Sequence, residues 1–224
     1  MKNSLTLNEL FKNRFGFRTE TNINLNFRTM NKAIKLLSLV LFGLMSVAAV
    51  NYVSTAWTID KSHSNIDFEV RHFFTPVNGT FHDYNATVNF DPANLEESMI
   101  DVEIMVNSID TRNERRNGHL KTADFFNAEK YPKITFKSSK IESKGDNKFV
   151  AHGDLTIKDV TKKIEMPFTL LGVMDHPRGG KVAGITSEFV IDRNVYGVGT
   201  GDWVSDAVVG KEVTATLNLE LNSK

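Results

Sequence analysis

The chain alternates apolar and polar residues over most of its length after residue 57. At the first such segment, Ile66, Phe68 and Val70 alternate with charged neighbours. Alternation of this kind directs one face of a strand toward a core and the other toward water. The pattern predicts half-buried strands at residues 66–70, 84–90, 100–106, 134–136, 149–157, 164–170, 183–191 and 213–221.

Turn-forming residues separate most of these strands. Short turns between consecutive strands predict an antiparallel meander. Each strand has one inward face, which a closed barrel or a two-sheet sandwich would bury, and closure also removes exposed sheet edges. No boundary divides residues 57–224, so we predict a single domain there. The turn signals lie at residues 76–79, 91–92, 145–147, 158–161 and 177–180.

A charged segment at residues 111–127 interrupts the alternation. We predict a short helix or helical turn over residues 112–122, crossing one end of the sheet structure. The chain then places four aromatic residues close together, and two interpretations of them stay open. They form one wall and the cover of an interior cavity, or they plug a dry, solid interior. The four residues are Phe125, Phe126, Tyr131 and Phe136.

The N-terminal region has the pattern of a secretory signal peptide. Lys32 and Lys35 precede an apolar run at residues 36–50, and small residues follow that run. A membrane-spanning helix needs about 20 apolar residues, so the run is short for a retained anchor. We predict a cleaved leader over residues 30–56, with cleavage after Ala56.

Two further features of this region affect where the mature protein begins. Cleavage after Ala48 is the alternative site, because small residues also precede it. Residues 1–29 are rich in Asn and Thr and show no clear period. We predict that they are a misassigned, disordered upstream extension, and we exclude them from the fold.

Composition and charge narrow the partners. The 224 residues include no cysteine, so neither disulfides nor thiolate metal sites can form. Of 27 basic and 27 acidic residues, residues 1–56 hold seven basic and two acidic ones. The remaining 20 basic and 25 acidic residues give residues 57–224 a net charge of −5, which argues against a nucleic-acid partner. Export without disulfides is compatible with a bacterial periplasm or with secretion.

Five blocks of the chain, in order, resemble the signatures of the YceI-like family. Together they extend over residues 57–221. Two positions depart from the family's usual pattern, since Asn117 stands where aspartate is frequent and Asp159 where glycine is common. The blocks are WTIDKSHSNIDFEVRH, RNGHLKTADFFNAEKYPKITF, HGDLTIKDVTKKIEMP, IDRNVYGV and VGKEVTATLNLEL.

The resemblance implies a fold and a function. The fold is all-β, an eight-stranded antiparallel lipocalin-like β-barrel with a short helical segment at one end. The function is that of a periplasmic binding protein that holds a polyisoprenoid or isoprenoid-quinone type lipid in an apolar pore, for transport or storage. We expect no catalysis, no cofactor and no metal, while a homodimer and a transient membrane contact stay open.

The inward faces of the predicted strands supply candidate ligand contacts. They mix large and small residues, which leaves space along the axis unless the two interdigitate into a solid core. A prenyl chain binds by apolar burial and needs few polar contacts. We expect the pore to be lined by Phe68, Val70, Phe81, Phe90, Phe125, Phe126, Tyr131, Phe136, Leu155, Ile157, Phe168, Phe189 and Trp203. The candidate head-group contacts are His63, Arg71, Arg116, His119 and Arg193, because guanidinium forks in particular suit phosphate oxygens.

The usual catalytic and metal-binding motifs are missing from the sequence. The six histidines show neither H-x-H nor H-E-x-x-H spacing, and no G-x-S-x-G elbow occurs. Two alternatives to a lipid carrier nevertheless stay open. One is an enzyme acting on an isoprenoid-like amphiphile, with His63 or His119 as acid or base. The other is a protein- or membrane-interaction module whose barrel is filled by its own side chains.

Overall fold

The computed structural model describes residues 56–223. The predicted upstream extension and the predicted leader up to residue 55 lie outside the described residues. Within the described part, strands dominate and one short α-helix, α1 (Glu114–Leu120), is present. None of the helical segments in this part is long and apolar enough to cross a membrane.

The strands all belong to one sheet in which every observed pairing is antiparallel. Most of them alternate buried and more exposed positions, as the period of two requires. They are β1 (Ala56–Ile59), β2 (Asn65–His72), β3 (Thr75–Phe81), β4 (Tyr84–Asn89), β5 (Met99–Met105), β6 (Ile109–Asp110), β7 (Lys133–Gly145), β8 (Lys148–Ile157), β9 (Val160–Asp175), β10 (Lys181–Asp192) and β11 (Val209–Asn222).

Eight of these strands close into a barrel. In the order β4, β5, β7, β8, β9, β10, β11 each strand pairs with the next, and β1 pairs with both β4 and β11. The predicted eight-stranded antiparallel barrel with a short helix is confirmed. Alternation predicts seven of the eight strands in the ring, and the eighth is β1 rather than the predicted segment 66–70.

Strand β11 closes the barrel because both of its edges are paired. One edge pairs with β10 along residues 212–222. The other edge is shared, since β2 pairs with residues 209–218 and β1 pairs with Leu221 and Asn222. β1 and β2 thus act as one interrupted strand, bent at the turn between them.

The predicted turn at residues 76–79 is wrong, because these residues lie in strand β3. The hairpin turn comes earlier, between the paired residues His72 and Thr75. Pro76 fits in β3 because this strand is mostly an edge, paired on its outer side only at its last two residues. A proline and a glycine in a short strand hide the alternation, so the sequence pattern indicated a turn.

Three phenylalanine rings fill the closed end of the barrel, which we define by Phe90, Phe149 and Phe168. Phe90 meets the other two edge-to-face, with ring centroids 5.1 and 5.4 Å apart, and Phe149 stacks on Phe168 at 5.3 Å. The indole Nε1 of Trp57 donates to the carbonyl of Phe90 at 2.9 Å. The three rings are almost fully buried. This end is therefore packed in the manner of a solid protein core.

The opposite end of the barrel carries α1. The helix is present as predicted but shorter than residues 112–122. Buried Asn117 ties it to β6: its Oδ1 accepts from the backbone N and the Oγ1 of Thr111 at 2.8 and 2.7 Å, and its Nδ2 donates to Asp110 Oδ1 at 3.0 Å. Because both polar atoms of the buried amide are used, α1 has a fixed position over the barrel end.

Arg193 organises the segment that leads from β10 to β11. Its side chain is 5% exposed and donates only to backbone carbonyls. Nε donates to Gly210 O at 2.8 Å, Nη1 to Val198 O at 2.7 Å, and Nη2 to Trp203 O and Val209 O, both at 2.6 Å. Four of the five N–H donors of the guanidinium are thus used to hold this segment in place.

The environment of Arg193 explains the neighbouring glycine. Gly199 has a φ of 93°, and a Cβ at this position would overlap the guanidinium. Burial lowers the pKa of Arg193, because removal from water disfavours the charged guanidinium. The segment is therefore wrapped around a cation, and its path depends on the planar fork of arginine.

We expect Arg193→Lys to destabilise the protein. An ammonium has three donors and no planar fork, so at least one of the four carbonyls that accept from Arg193 is left unpaired. Each unpaired buried carbonyl costs about 1–3 kcal/mol. Urea unfolding should show a lower midpoint. The matched control is Arg178→Lys in an exposed turn, which should leave the midpoint unchanged. Equal midpoints for the two variants would contradict this role of Arg193.

Candidate ligand-binding cavity

Two connected spaces occupy the α1 end of the barrel. The inner cavity lies inside the barrel and has a volume of about 160 Å³. The vestibule lies outside it beneath α1, with a volume of about 770 Å³. Five residues line both spaces, so the two adjoin, and we call the vestibule side of the inner cavity its entrance. The five residues are Phe68, Val70, Leu120, Phe125 and Val209.

The inner cavity is lined almost entirely by apolar side chains. Asp67 and Arg193 are the charged residues in its wall, and the donors of Arg193 point mainly at backbone carbonyls. A space of this kind favours hydrocarbon, because each Å² of apolar ligand surface removed from water is worth about 25 cal/mol. The apolar wall comprises the shared residues and Ile66, Phe81, Val102, Ile104, Phe126, Ile134, Phe136, Leu155, Ile157, Ile164, Met166, Phe189, Ile191, Val198, Val213, Ala215 and Leu217.

Two aromatic rings in this wall pack against glycines. Phe68 of β2 is directly opposite Gly79 of β3, and a Cβ on Gly79 would overlap the Phe68 ring. Phe136 of β7 packs against Gly153 of β8, 2.7 Å from where a Cβ would be. Because glycine has no side chain, each ring can rest against the backbone of the neighbouring strand.

The vestibule differs from the inner cavity in being polar on one side. Helix α1 contributes Arg115, Arg116 and His119, and β2 contributes His72. Trp203, from the segment held by Arg193, supplies an apolar surface that contacts His119. The two spaces together therefore form a tube with a greasy interior and a mouth that offers hydrogen-bond donors.

The vestibule residues are held in place by specific contacts. Arg116 Nε donates to Thr111 Oγ1 at 2.8 Å, and its Nη2 to Thr111 O at 2.6 Å. His119 Nε2 is 2.9 Å from Asp124 Oδ2, and its ring meets Trp203 edge-on at 5.1 Å. Among residues 56–223, Arg115 makes no side-chain hydrogen bond or salt bridge. Cationic donors of this kind can bind carbonyl or phosphate oxygens.

Most of the residues singled out from the sequence lie at these two spaces. Phe68, Val70 and Phe125 line both, and Trp203, Arg116 and His119 line the vestibule. The predicted residues in the inner wall alone are Phe81, Phe126, Phe136, Leu155, Ile157, Phe189 and Arg193. Arg193 has little capacity left for a ligand, because four of its donors are used by the backbone.

Five predicted residues lie away from both spaces. Phe90 and Phe168 pack at the closed end of the barrel. Tyr131 donates its hydroxyl to Asp159 Oδ2 at 2.9 Å on the outside. Arg71 forms a 3.3 Å salt bridge with Asp206. His63, in the turn between β1 and β2, belongs to a separate cluster of charged groups.

That cluster joins the β1–β2 turn to β11. His63 Nδ1 lies 3.0 Å from Asp60 Oδ2 and 3.6 Å from Glu220 Oε1. Hydrogen bonds from Ser62 and from His63 lower the pKa of Asp60 to about 2. The hydrogen bond with Asp60 raises the pKa of His63. The arrangement is an exposed ion pair at the bend where β1 gives way to β2 along β11.

Several residues of the two spaces were not singled out from the sequence. The inward positions Ile66, Val102, Ile134, Met166 and Leu217 lie on the alternating faces and could have been chosen by the same rule. Arg115 and His72 gave no comparable signal. Their position depends on how α1 and the β2–β3 hairpin lie over the barrel end, which the local pattern does not specify.

The chain is similar in sequence to a known protein family and to its members. Residues 57–221 match the family model of the YceI-like domain. The protein YceI of Escherichia coli O17:K52:H18 is 36% identical over 162 residues, which covers 71% of this chain and 84% of that protein.

Solved structures share the architecture. BcnA of Burkholderia cenocepacia superposes with a TM-score of 0.67 at 29% identity, covering 72% of this chain and 98% of BcnA. A polyisoprenoid binding domain from Saccharophagus degradans superposes with a TM-score of 0.57, covering 76% of this chain and 99% of that domain. At 13% identity the second likeness shows the fold alone.

We expect Gly79→Ala to reduce the inner cavity by forcing the Phe68 ring off the wall and into the open space. An apolar cavity of about 150 Å³ takes up benzene or xenon, so benzene binding followed by NMR shift changes measures the remaining space. Gly172→Ala is the matched control, because a Cβ there meets nothing within 4 Å. Undiminished benzene uptake by Gly79→Ala would show that Phe68 does not set the width of the cavity.

We expect the Asp60–His63 pair to stabilise the fold over a limited pH window. The lowered pKa of Asp60 gives stability that is lost as the pH falls below about 4 toward 2. The raised pKa of His63 gives stability that is complete below the ordinary value of 6.5 and is lost as the pH rises through the raised value. His63→Gln should therefore lower the urea midpoint near pH 5 and have little effect near pH 9.

The control for this pH dependence is Ser139→Ala. Ser139 is exposed, and its hydroxyl donates to the backbone carbonyl of His152 at 3.2 Å. Because a serine hydroxyl does not titrate between pH 5 and pH 9, its effect on the midpoint should be the same at both pH values. A His63→Gln effect of equal size at both pH values would contradict the charged-pair explanation.

Proposed function

The chain belongs to the YceI-like family, and from this membership and the form of the cavity we propose that it binds one polyisoprenoid or isoprenoid-quinone type lipid. The apolar tail occupies the inner cavity and the head group lies in the vestibule. The protein transports or stores this lipid, and the binding involves no covalent chemistry.

One observation carries the proposal, namely the change in polarity along the tube. The inner wall is apolar except for Asp67 and the backbone-bound Arg193, whereas the vestibule presents Arg115, Arg116 and His119. A ligand that matches both parts has a long hydrocarbon tail and a compact polar head. A wholly polar metabolite would leave its hydrogen bonds unmade in the inner cavity, which costs several kcal/mol.

The volumes allow a ligand to extend through both spaces only if the inner cavity widens. Small-molecule sites typically hold about 300–1,000 Å³. The inner cavity at about 160 Å³ is below this range and the vestibule at about 770 Å³ is within it. A long tail therefore needs the interior rings to move. Phe68 and Phe136 rest on glycines, so at those positions no side chain lies beneath them.

The proposed ligand class rests on the residues that line the cavity rather than on the Saccharophagus degradans domain. The Saccharophagus degradans domain of the same fold is described as polyisoprenoid binding. At 13% identity its ligand carries over only as part of this proposal. The YceI-like membership and the apolar tube of this chain support the same ligand class without it.

The setting of the protein is part of the proposal. The leader pattern at residues 30–56 supports export, and we propose that the barrel domain at residues 57–224 acts in the periplasm or outside the cell. A carrier in water is useful there, because an isoprenoid tail cannot cross an aqueous compartment unaided.

We expect lipid to remain bound to the protein through gentle purification, and native mass spectrometry should detect its mass on the folded chain. Ala215→Phe places a ring in the inner cavity and should reduce both the bound mass and the binding of added decylubiquinone or geranylgeraniol by roughly tenfold or more. Ala93→Phe, in the exposed loop after β4, is the control and should bind like the parent.

The proposal would be overturned by a specific pair of results. These are a bare polypeptide mass after purification, and no binding of either added lipid by the parent protein. A circular dichroism spectrum unchanged from the parent would show that Ala215→Phe acts on the cavity and not on the fold.

A further inference from the structure

The turn between β2 and β3 exposes two phenylalanines. Phe74 is 96% exposed and Phe73 is 48% exposed, the largest such values for aromatic residues among the exposed large hydrophobics of residues 56–223. The residues that flank them, from Arg71 to Pro76, are also exposed. Two adjacent aromatic rings in water are unfavourable by about 1.5–3 kcal/mol each relative to burial.

The fold gives no reason for aromatic residues at this turn. His72 pairs with Thr75, so Phe73 and Phe74 form a two-residue hairpin loop. Phe73 has a φ of 51°, a conformation that such loops usually assign to Gly or Asn. A bulky side chain there costs of order 1 kcal/mol in strain. The turn would be more stable and more soluble with other residues, which indicates a role in contact with a partner.

The position of the turn beside the cavity entrance suggests which partner. The ring of Phe73 packs edge-on against His72, with centroids 4.6 Å apart, and His72 lines the vestibule. The backbone N of Phe73 donates to Val208 O at 2.8 Å. Arg71 Nη1 donates to Phe73 O at 2.5 Å. These contacts fix the turn at the rim of the vestibule.

Other groups on the same rim have matching properties. Val204 is 48% exposed and follows Trp203, which lines the vestibule. Arg115 is exposed across the vestibule on α1. Exposed phenylalanines near a half-buried tryptophan and a cation are a combination suited to the interface of a phospholipid bilayer.

We propose that this rim, defined by Phe73, Phe74 and Val204, docks on the surface of a phospholipid bilayer. Phe74 inserts among the acyl chains and Arg115 lies at the level of the lipid phosphates. The vestibule then faces the membrane, so that a lipid can enter the barrel without crossing water. The route of entry rests on the proposed lipid-binding function, whereas the docking itself does not.

The continuity of the rim with the cavity entrance favours a membrane over a protein partner. A stable protein interface needs roughly 800 Å² on each side. The exposed apolar rim offers three residues on two loops, with no groove of its own. Binding to a bilayer needs no matching surface of that size, because each inserted aromatic side chain adds apolar burial and a nearby cation adds attraction to anionic lipid.

The test uses the full chain with Trp57→Phe, which leaves Trp203 at the rim as the sole tryptophan. Vesicles of phosphatidylethanolamine and phosphatidylglycerol, without isoprenoid, carry brominated acyl chains that quench a nearby indole. We expect quenching of Trp203 on vesicle addition. Phe74→Ser should lower vesicle binding by roughly tenfold or more and abolish the quenching. Leu171→Ser removes an exposed apolar side chain from β9, away from the rim, and should leave both unchanged.

Either of two results would overturn the docking proposal. Vesicle binding that persists in Phe74→Ser, or that does not quench Trp203, would place the contact elsewhere, including the apolar run at residues 36–50. Loss of a dimer in Phe74→Ser by sedimentation, without vesicle binding by the parent, would identify a second copy as the partner.

Decylubiquinone binding in dilute detergent separates this proposal from the lipid-binding function. Phe74→Ser should bind it like the parent, because Phe74 lines neither space. If the parent fails to dock on vesicles but still binds decylubiquinone, the docking proposal fails and the proposed function stands. If the parent docks on vesicles but does not bind decylubiquinone, the docking proposal stands and the proposed lipid-binding function fails.

Discussion

The fold depends on strand β11, whose backbone pairs with other strands along both edges. Its residues pair with β10 on one side and with β2 and then β1 on the other. A single long strand with two successive partners closes the ring, so the inward alternating side chains face one another instead of a second sheet. The bend between β1 and β2 is where the charged Asp60–His63 pair lies, which couples an exposed ion pair to barrel closure.

A closed barrel need not contain a cavity, and the two ends of this barrel differ in how their side chains pack. At the closed end, Phe90, Phe149 and Phe168 pack edge-to-face and stacked, as in an ordinary core. At the other end, Phe68 and Phe136 lie over glycines, and a helix and an arginine-bound segment extend beyond the sheet to form the mouth. Phenylalanine therefore fills the interior at the closed end and lines the cavity at the α1 end.

The sequence predicted the features that follow from the two-residue alternation of apolar and polar positions. Alternation specified the strands and most of the apolar wall, because each inward position is fixed by its strand, whereas the choice of a barrel over a two-sheet sandwich came from the family resemblance. It could not separate Phe90 and Phe168 from Phe68 and Phe136, since all four are inward phenylalanines and only the opposite strand decides whether a ring meets another ring or a glycine. Nor could it distinguish Arg193, which binds backbone carbonyls, from Arg116, which lines the mouth, because both depend on loop paths set by long-range contacts.

The packed end of the barrel has a consequence for the proposed lipid binding. Because Phe90, Phe149 and Phe168 fill that end, a bound lipid would have to enter and leave through the α1 end. A barrel with one usable opening would hold its ligand tail inward and would not form a channel open to two compartments at once.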